Sequence, residues 1–564
     1  MSMSSYHGES KHSALGSQDG LEAVVQLPTA QKPVSLEAQP PKEAPKKGLR
    51  FWLIMFSLMI SLYEAAFEMC AVGIALPTIS EELNATDFVW VGSAYALAAS
   101  CALPMTGGLA DVMGRKGVML ISLVIFAAGA AVCGAAQSMT MLIIGRTIQG
   151  IGGGGILSLP AIILSDLVSL RERGAYNGLL GVTWSVAIVT SAIVAGALAN
   201  HGQWRWIFYL NIPVTAVAIL LVVVALKTPT PKGSLGSKLK KIDWIGNFII
   251  IASTCLCCVA LTWAGIKYDW VSLQVLVPLG IGAAGFILFF FYEVKVATNP
   301  LIPFRLLGNR TTVMGYISTF VNSLIAIMTI YYLPVYTQAC WGDSAQRSGS
   351  IDWLGLSCTV GPFGIVAGVS VAVIKKYRPT ILFGWALAVT SMVLYMQLKV
   401  ETKLSTLIGY EVVFGLGVGA LYTTTYFPVL APLPVSANAR ALAFFNFCRC
   451  FAQVWGVTIG ASVLQNQLLK KLPQEFVSKL PAGVQVAYTA IPHIAELPDA
   501  LRQEVRVAFQ ESLRTVWITT LIIAGVGALS LLGMKEVKMH AYTDSDWGIE
   551  EEPSQKPMEM TSRV

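Results

Sequence analysis

The chain is 564 residues and 60.5 kDa, with 55% hydrophobic residues, 13% charged residues and a mean hydropathy of +0.64. An ordinary soluble domain carries roughly 25% charge, and a soluble chain of this length needs several charged surfaces, at about 150 residues per domain. That charge is missing, which excludes a soluble enzyme, a nucleic-acid binder and a disordered scaffold.

Residues 1–50 are rich in Ser, Pro, Gln and Lys and contain no long apolar run, so they read as a disordered cytosolic tail and not as a signal peptide. Beyond them, apolar stretches of about 20 residues, the length of a membrane span, alternate with short polar breaks. Fourteen are expected, near 52–76, 89–110, 118–137, 139–163, 175–199, 207–227, 244–264, 274–293, 312–336, 351–373, 381–398, 405–430, 441–463 and 515–534. The predicted class is an all-α integral membrane protein. Nine of the ten cysteines lie in apolar runs, so no disulfide framework is expected, and Cys255-Leu-Cys-Cys258 reads as small packing residues.

Basic residues set the orientation. With the N-terminus in the cytosol, the short inner loops hold sixteen Lys and Arg residues, among them Arg115, Lys116, Arg171, Lys240, Lys375 and Arg440. The short outer loops hold five: Arg205, Lys267, Arg347, Lys399 and Lys403. Both termini are therefore expected in the cytosol, and the net charge of +7 reports topology rather than a polyanionic partner. Between the last two spans, Leu464–Leu472 and Leu501–Leu513 are patterned like amphipathic helices. An outer loop is expected there, with a lid or interfacial helix as the alternative.

Ionisable residues inside spans are costly in lipid and face a cavity or a partner. Here they are Glu64, Glu68, Arg146, Glu411 and Arg449. Glu64 and Glu68 are four apart and share a helix face. Two carboxylates that close, out of bulk water, repel unless a proton is held between them, as a proton-coupled site requires. A static tie between spans is the structural alternative. All five histidines lie outside the spans, which argues against a buried histidine or di-metal centre. The run Gly150-Ile-Gly152-Gly-Gly-Gly155 satisfies a dinucleotide-binding spacing but lies in an apolar helix with no preceding strand. Close helix packing is its expected role.

Four motifs carry a family resemblance. Gly107-Gly-Leu-Ala-Asp111-Val-Met-Gly114-Arg115-Lys116, between spans two and three, resembles the loop signature of the major facilitator superfamily. Leu142-x-x-x-Arg146-x-x-Gln149-Gly150-Ile-Gly152-Gly153 resembles the span-four motif of its proton-coupled members. Trp204-Arg205-Trp206-Ile-Phe208-Tyr-Leu-Asn211-Ile-Pro213 and Asp243-Trp244-Ile-Gly246 are similar to the fourteen-span drug:proton antiporter branch, most familiar from fungi.

The resemblance implies a major facilitator fold in a 6+2+6 arrangement. Its parts are an N-terminal six-helix bundle over 51–227, a linker and two inserted helices over 228–293, and a C-terminal six-helix bundle over 294–535 with a long outer loop at 464–514. An acidic cytosolic tail over 536–564 follows. By the same analogy Glu68, Glu64 and Arg146 couple protons, and Tyr316, Asn322, Glu411, Tyr422 and Thr423 line the substrate cavity, with Glu411 facing a cationic substrate. Gly107, Asp111, Gly114, Arg115 and Lys116 form a gating loop. Two positions depart from the branch: Glu68 stands where Asp is usual, and Ser191-Ala-Ile-Val-Ala-Gly196 lacks the usual Gly-Pro of span five.

The implied function is proton-coupled export of small organic molecules such as drugs, toxins or secondary metabolites. Uptake or vacuolar transport of amino acids or siderophores is one alternative, and a nutrient receptor that has lost transport is another. No enzyme activity, metal or cofactor is expected beyond the proton gradient. The expected setting is a monomer in the plasma membrane, or alternatively the vacuolar membrane. Asn84-Ala-Thr86 is a weak candidate for glycosylation.

Overall fold

The computed structural model describes residues 47–83, 89–227, 236, 240, 242–264, 268–297, 307–344, 347–348, 351–477, 490–491 and 493–539. The sequon at Asn84, the loop residues Lys232, Lys238, Lys241, Lys267 and Arg305, and nearly all of both expected tails lie outside them.

Among the described residues, fourteen helices are long and apolar enough to cross a membrane, and no strand occurs. We number them α1 (Leu49–Glu82), α2 (Val89–Met113), α3 (Arg115–Gly134), α4 (Met139–Leu167) and α5 (Leu170–Asn200). The sixth, α6 (Arg205–Ala225), is interrupted at Leu210. Then come α7 (Trp244–Trp263), α8 (Leu273–Lys295), α9 (Arg310–Tyr336), α10 (Leu354–Ile374) and α11 (Arg378–Tyr395). The last three are α12 (Leu404–Leu430), interrupted at Thr425, α13 (Asn438–Lys471) and α14 (Asp499–Gly533). With fourteen crossings, α1 begins and α14 ends on one side of the membrane, called here the terminal face. The other is the far face.

Polar side chains in the breaks start several helices. The Ser138 hydroxyl accepts the Met141 N–H at 3.3 Å ahead of α4, and Asn309 Oδ1 accepts the Thr311 N–H at 2.9 Å ahead of α9. Asp243 Oδ1 accepts the Gly246 N–H at 2.9 Å and a bond from Tyr292 of α8 at 3.0 Å. The Asp-Trp-Ile-Gly motif is thus a helix cap. Gly114, at φ 90°, makes the turn between α2 and α3 that a side chain would strain.

Helices α1–α6 pack into one bundle and α9–α14 into another. The glycine run of α4 lies between α2 and α3: a Cβ at Gly150 would meet Tyr95 O at 2.5 Å, and one at Gly152 would meet Phe126 N at 2.5 Å. The run is a packing surface. Helix α7 lies against α2 and α13, one from each bundle, and Thr458 of α13 donates to Leu261 O at 3.1 Å. Helix α8 packs on α7 and exposes Leu276, Ile281, Ile287, Phe291 and further apolar side chains, the surface lipid requires.

The segment 464–514 differs from an outer loop. Helix α13 continues without a break to Lys471, and α14 starts at Asp499, well before its apolar stretch. The amphipathic stripes at Leu464, Leu468 and Leu472 and at Val505, Phe509 and Leu513 are buried together with Phe476 and Ile494 in one apolar cluster. Each stripe continues its own span in register, so neither forms a free amphipathic helix among the described residues.

Candidate functional site

The first site is a buried charge cluster in the N-terminal bundle. Arg146 Nη1 donates to Glu68 Oε1 at 2.8 Å, an ion pair that is almost completely buried. The guanidinium also donates to Gln149 Oε1 at 2.8 Å and to Val91 O at 3.0 Å, and lies 4.5 Å over the Tyr95 ring. Glu68 Oε2 accepts from Asn211 Nδ2. One turn earlier on α1, Glu64 Oε2 accepts the Thr215 hydroxyl at 2.7 Å, while Glu64 Oε1 is buried without a partner. The three sequence-predicted residues are therefore gathered between α1, α4 and α6. None lines the central cavity.

That cavity lies between the bundles and draws its wall from α1, α4, α5, α9, α10, α12 and α13. Its lining is mainly apolar, with Asn177, Trp184, Asn322, Tyr422 and Phe445 on it. Among the described residues that line it, Arg449 alone carries a charge.

The sequence reading placed five residues on this wall, and the structure keeps Asn322 and Tyr422 there. Tyr316 points instead toward α13, donating to Ala441 O at 3.2 Å. Thr423 donates to Gly364 O on α10 at 3.0 Å. Glu411 Oε2 accepts the Gly355 N–H at 3.1 Å, at the start of α10. An anion is favoured at a helix N-terminus, which accounts for a buried acid at that position without a cationic substrate.

The third element is a clamp at the terminal face. Arg115 Nη1 donates to Asp111 Oδ1 at 2.9 Å and Arg115 Nε to Asp166 Oδ2 at 2.9 Å. Asp111 Oδ2 accepts from Arg440 of the other bundle at 3.3 Å. Arg171 Nε donates across the same divide to Ala372 O at 3.1 Å, and Lys116 Nζ binds Val223 O at 2.7 Å. Backbones close up beside these contacts. A Cβ at Gly107 would meet Ala443 Cβ at 2.7 Å, and a Cβ at Gly174 would meet Gly368 Cα at 2.7 Å. The structure is in a state closed at the terminal face.

The family model of the Major Facilitator Superfamily matches residues 53–457. The chain belongs to this superfamily. The facilitator is 33% identical over 553 residues to the MFS-type efflux pump LUC4 of Fusarium sp, covering 96% of this chain and 98% of the relative. It is 34% identical to the acurin A biosynthesis cluster MFS-type transporter of Aspergillus aculeatus, covering 90% and 93%. Its fold is similar to that of the human organic anion transporter MFSD10 (TETRAN), with a TM-score of 0.54, 13% identity and coverage of 86% and 100%. It is a multi-pass membrane transporter that moves small molecules, and not an enzyme.

Sequence reasoning missed several of the facilitator's site residues. Asn211, Thr215 and Gln149 complete the buried cluster but are uncharged: Gln149 and Asn211 stood in the quoted motifs without a role assigned to them, and nothing set Thr215 apart from other polar residues in spans. Asp166 sits at the last turn of α4 and read as part of a loop. The signal for it is its spacing from Arg171 and Arg173, which marks a charged helix end.

Proposed function

We propose that this facilitator is a proton-coupled exporter of small organic molecules, with both termini in the cytosol of a cell whose plasma membrane it spans. The observation that carries the coupling is the buried Glu68–Arg146 pair, with Asn211 on the second Glu68 oxygen and Glu64 one turn away. A proton on Glu68 cancels its charge and leaves Arg146 without its counterion. The cluster therefore has two charge states, and the contacts among α1, α4 and α6 differ between them. The cavity is separate, so a proton and a substrate occupy different places and communicate through α1 and α4, which border both.

Export is supported by the fungal relatives, which include an efflux pump and a biosynthesis-cluster transporter. The cytosolic placement of the termini is supported by the excess of Lys and Arg on that side. One charge crossing 100 mV supplies about 2.3 kcal/mol, roughly a 50-fold gradient at 1.36 kcal/mol per decade. A monomer suffices, since cavity and cluster are complete within one chain.

The test uses everted plasma-membrane vesicles energised by a proton pump and offered fluorescent organic dyes of anionic, neutral and cationic type. Dye uptake that a protonophore abolishes is expected, together with loss of that sensitive component in Glu68→Gln. Uptake indifferent to the protonophore would remove the coupling assignment, and dye accumulation in intact overexpressing cells would remove the export assignment.

A further inference from the structure

The two arginines in the membrane interior are treated differently by their surroundings. Arg146 has Glu68 at 2.8 Å and its charge is matched. Arg449, on α13, forms no ion pair with any described residue. Its Nη2 donates to Tyr422 O at 2.7 Å, and its guanidinium carbon stands 3.8 Å over the Tyr422 ring and 4.8 Å from the Phe445 ring centre. Its Nε is buried with no hydrogen-bond partner.

A guanidinium stacked on aromatic rings is held in place by cation–π attraction, but that attraction does not neutralise it. A lone charge in a membrane interior is costly and marks the path of what is carried. No described residue of the wall carries an opposing charge. Trp184 Nε1 and Asn446 Nδ2 also lack partners, and both residues line the cavity. Asn322 Oδ1 and the Ser357 hydroxyl on the same wall are unpartnered too, so the sign of the site is set by its one fixed cation on a wall where no described residue offers a carboxylate. Glu411, the acid that a cationic substrate would need, is turned away to the start of α10.

We propose that the cavity takes a mainly apolar organic acid, bound as its carboxylate, with Arg449 as the anion-binding residue. The inference rests on the export reading of the same cavity and adds the charge of the cargo. A carboxylate would complete the Arg449 Nε and remaining N–H donors by charge-assisted bonds, while its apolar body lies among Trp184, Phe445 and the aliphatic wall. Arg449 is held by Tyr422 at one edge only, so its other donors remain for the ligand.

Binding of 1-naphthoate and of its uncharged isostere 1-naphthamide to the purified full chain is measured by calorimetry. Naphthoate is expected to bind about tenfold tighter or better, as a charge-assisted bond exceeds a neutral one. Arg449→Gln is expected to bring the two within about twofold, and Arg449→Lys to keep part of the preference because it keeps the charge. Equal affinities in the wild-type chain, absence of binding by both probes, or an undiminished preference in Arg449→Gln overturns the proposal. Should Arg449→Gln not fold, the wild-type comparison and Arg449→Lys still decide it. Binding requires no gradient. Absence of the acid preference in the wild-type chain, with protonophore-sensitive dye uptake intact, therefore rejects the anion assignment and leaves export standing, and the reverse result rejects coupling alone.

Discussion

At the scale of single residues, charges in the spans were legible because an apolar background makes them conspicuous. Glu64, Glu68 and Arg146 stand out in any reading of the chain; Glu68 and Arg146 form an ion pair, and Glu64 lies one turn away on α1. Their uncharged partners do not stand out, since a hydroxyl or amide in a span commonly bonds back into its own helix. Thr215 does both: its hydroxyl reaches Glu64 and also the Asn211 carbonyl, each at 2.7 Å. For Tyr316, Glu411 and Thr423 the depth along the helix was readable but the direction around it was not. A helix that is apolar on every side carries no stripe to show which face is inward. Outside the spans, Glu82 illustrates a charge whose environment sets its titration. Its Oε1 accepts from Arg205 at 2.5 Å and its Oε2 from Trp204 Nε1 at 2.6 Å. These bonds from Arg205 and Trp204 hold its carboxyl below the usual carboxylate range. The folded value being lowered, the clasp between α1 and α6 contributes fully above the ordinary carboxylate pKa and is lost as pH falls through the lowered one. Melting curves of the wild type and Glu82→Gln should therefore differ at neutral pH, by no more than about 1 kcal/mol for so exposed a pair, and converge in acid. A gap unchanged into strong acid would contradict this.

At the scale of elements, the fourteen spans were legible from length and composition, while two of their ends were not. Helix α13 is 34 residues long, about 50 Å at 1.5 Å per residue, against a hydrocarbon core of about 30 Å. The excess emerges at the far face, and so does the first part of α14. Composition turns polar there without any glycine or proline to stop the helix, so hydropathy ends the span where the backbone does not. What holds the extension is burial: Leu468 and Phe509 are fully enclosed, and Lys471 pairs with Glu511 at 3.3 Å. Phe509→Ala should cost about 3–5 kcal/mol and Leu468→Ala about 2–5 kcal/mol, whereas Lys471→Ala should cost under about 1 kcal/mol. Chemical denaturation of the purified protein in detergent, followed by helical signal, separates the two classes. Similar losses for all three would mean that the extension is held by charge.

At the scale of the whole molecule, the state seen is defined by where the bundles touch. Their terminal-face contacts rely on absent side chains at Gly107, Gly174 and Gly368 and on the Asp111–Arg440 pair. The motif containing Gly107 and Asp111 was recognisable in the sequence. Its partners were not, because Ala443 and Arg440 belong to the other bundle, and a pairing such as Asp111–Arg440, 329 residues apart, leaves no local pattern. Gly368→Leu places a side chain where Gly174 already sits. It should prevent this closure, leave the helix content unchanged and reduce transport at least about tenfold, the effect of losing some 1.4 kcal/mol from the closed state. In a chain keeping Cys450 of the cavity wall as its only cysteine, an impermeant maleimide applied at the terminal face should label the variant faster than the parent. Equal labelling rates would show that the clamp does not control access.

The position of α7 has a mechanical corollary. It leans on α2 and α13 together, and these belong to opposite bundles, whereas on the other flank α5 meets α10 directly. One seam is thus roofed by protein and the other is a bare joint. If the bundles rock, as the proposed export by this cavity requires, α7 cannot stay fixed to both; it then slides on at least one of them and carries α8, with its exposed apolar side chains, along. Such a stroke would be lopsided, with drag concentrated on the flank that α7 and α8 cover, and its rate would depend on membrane viscosity.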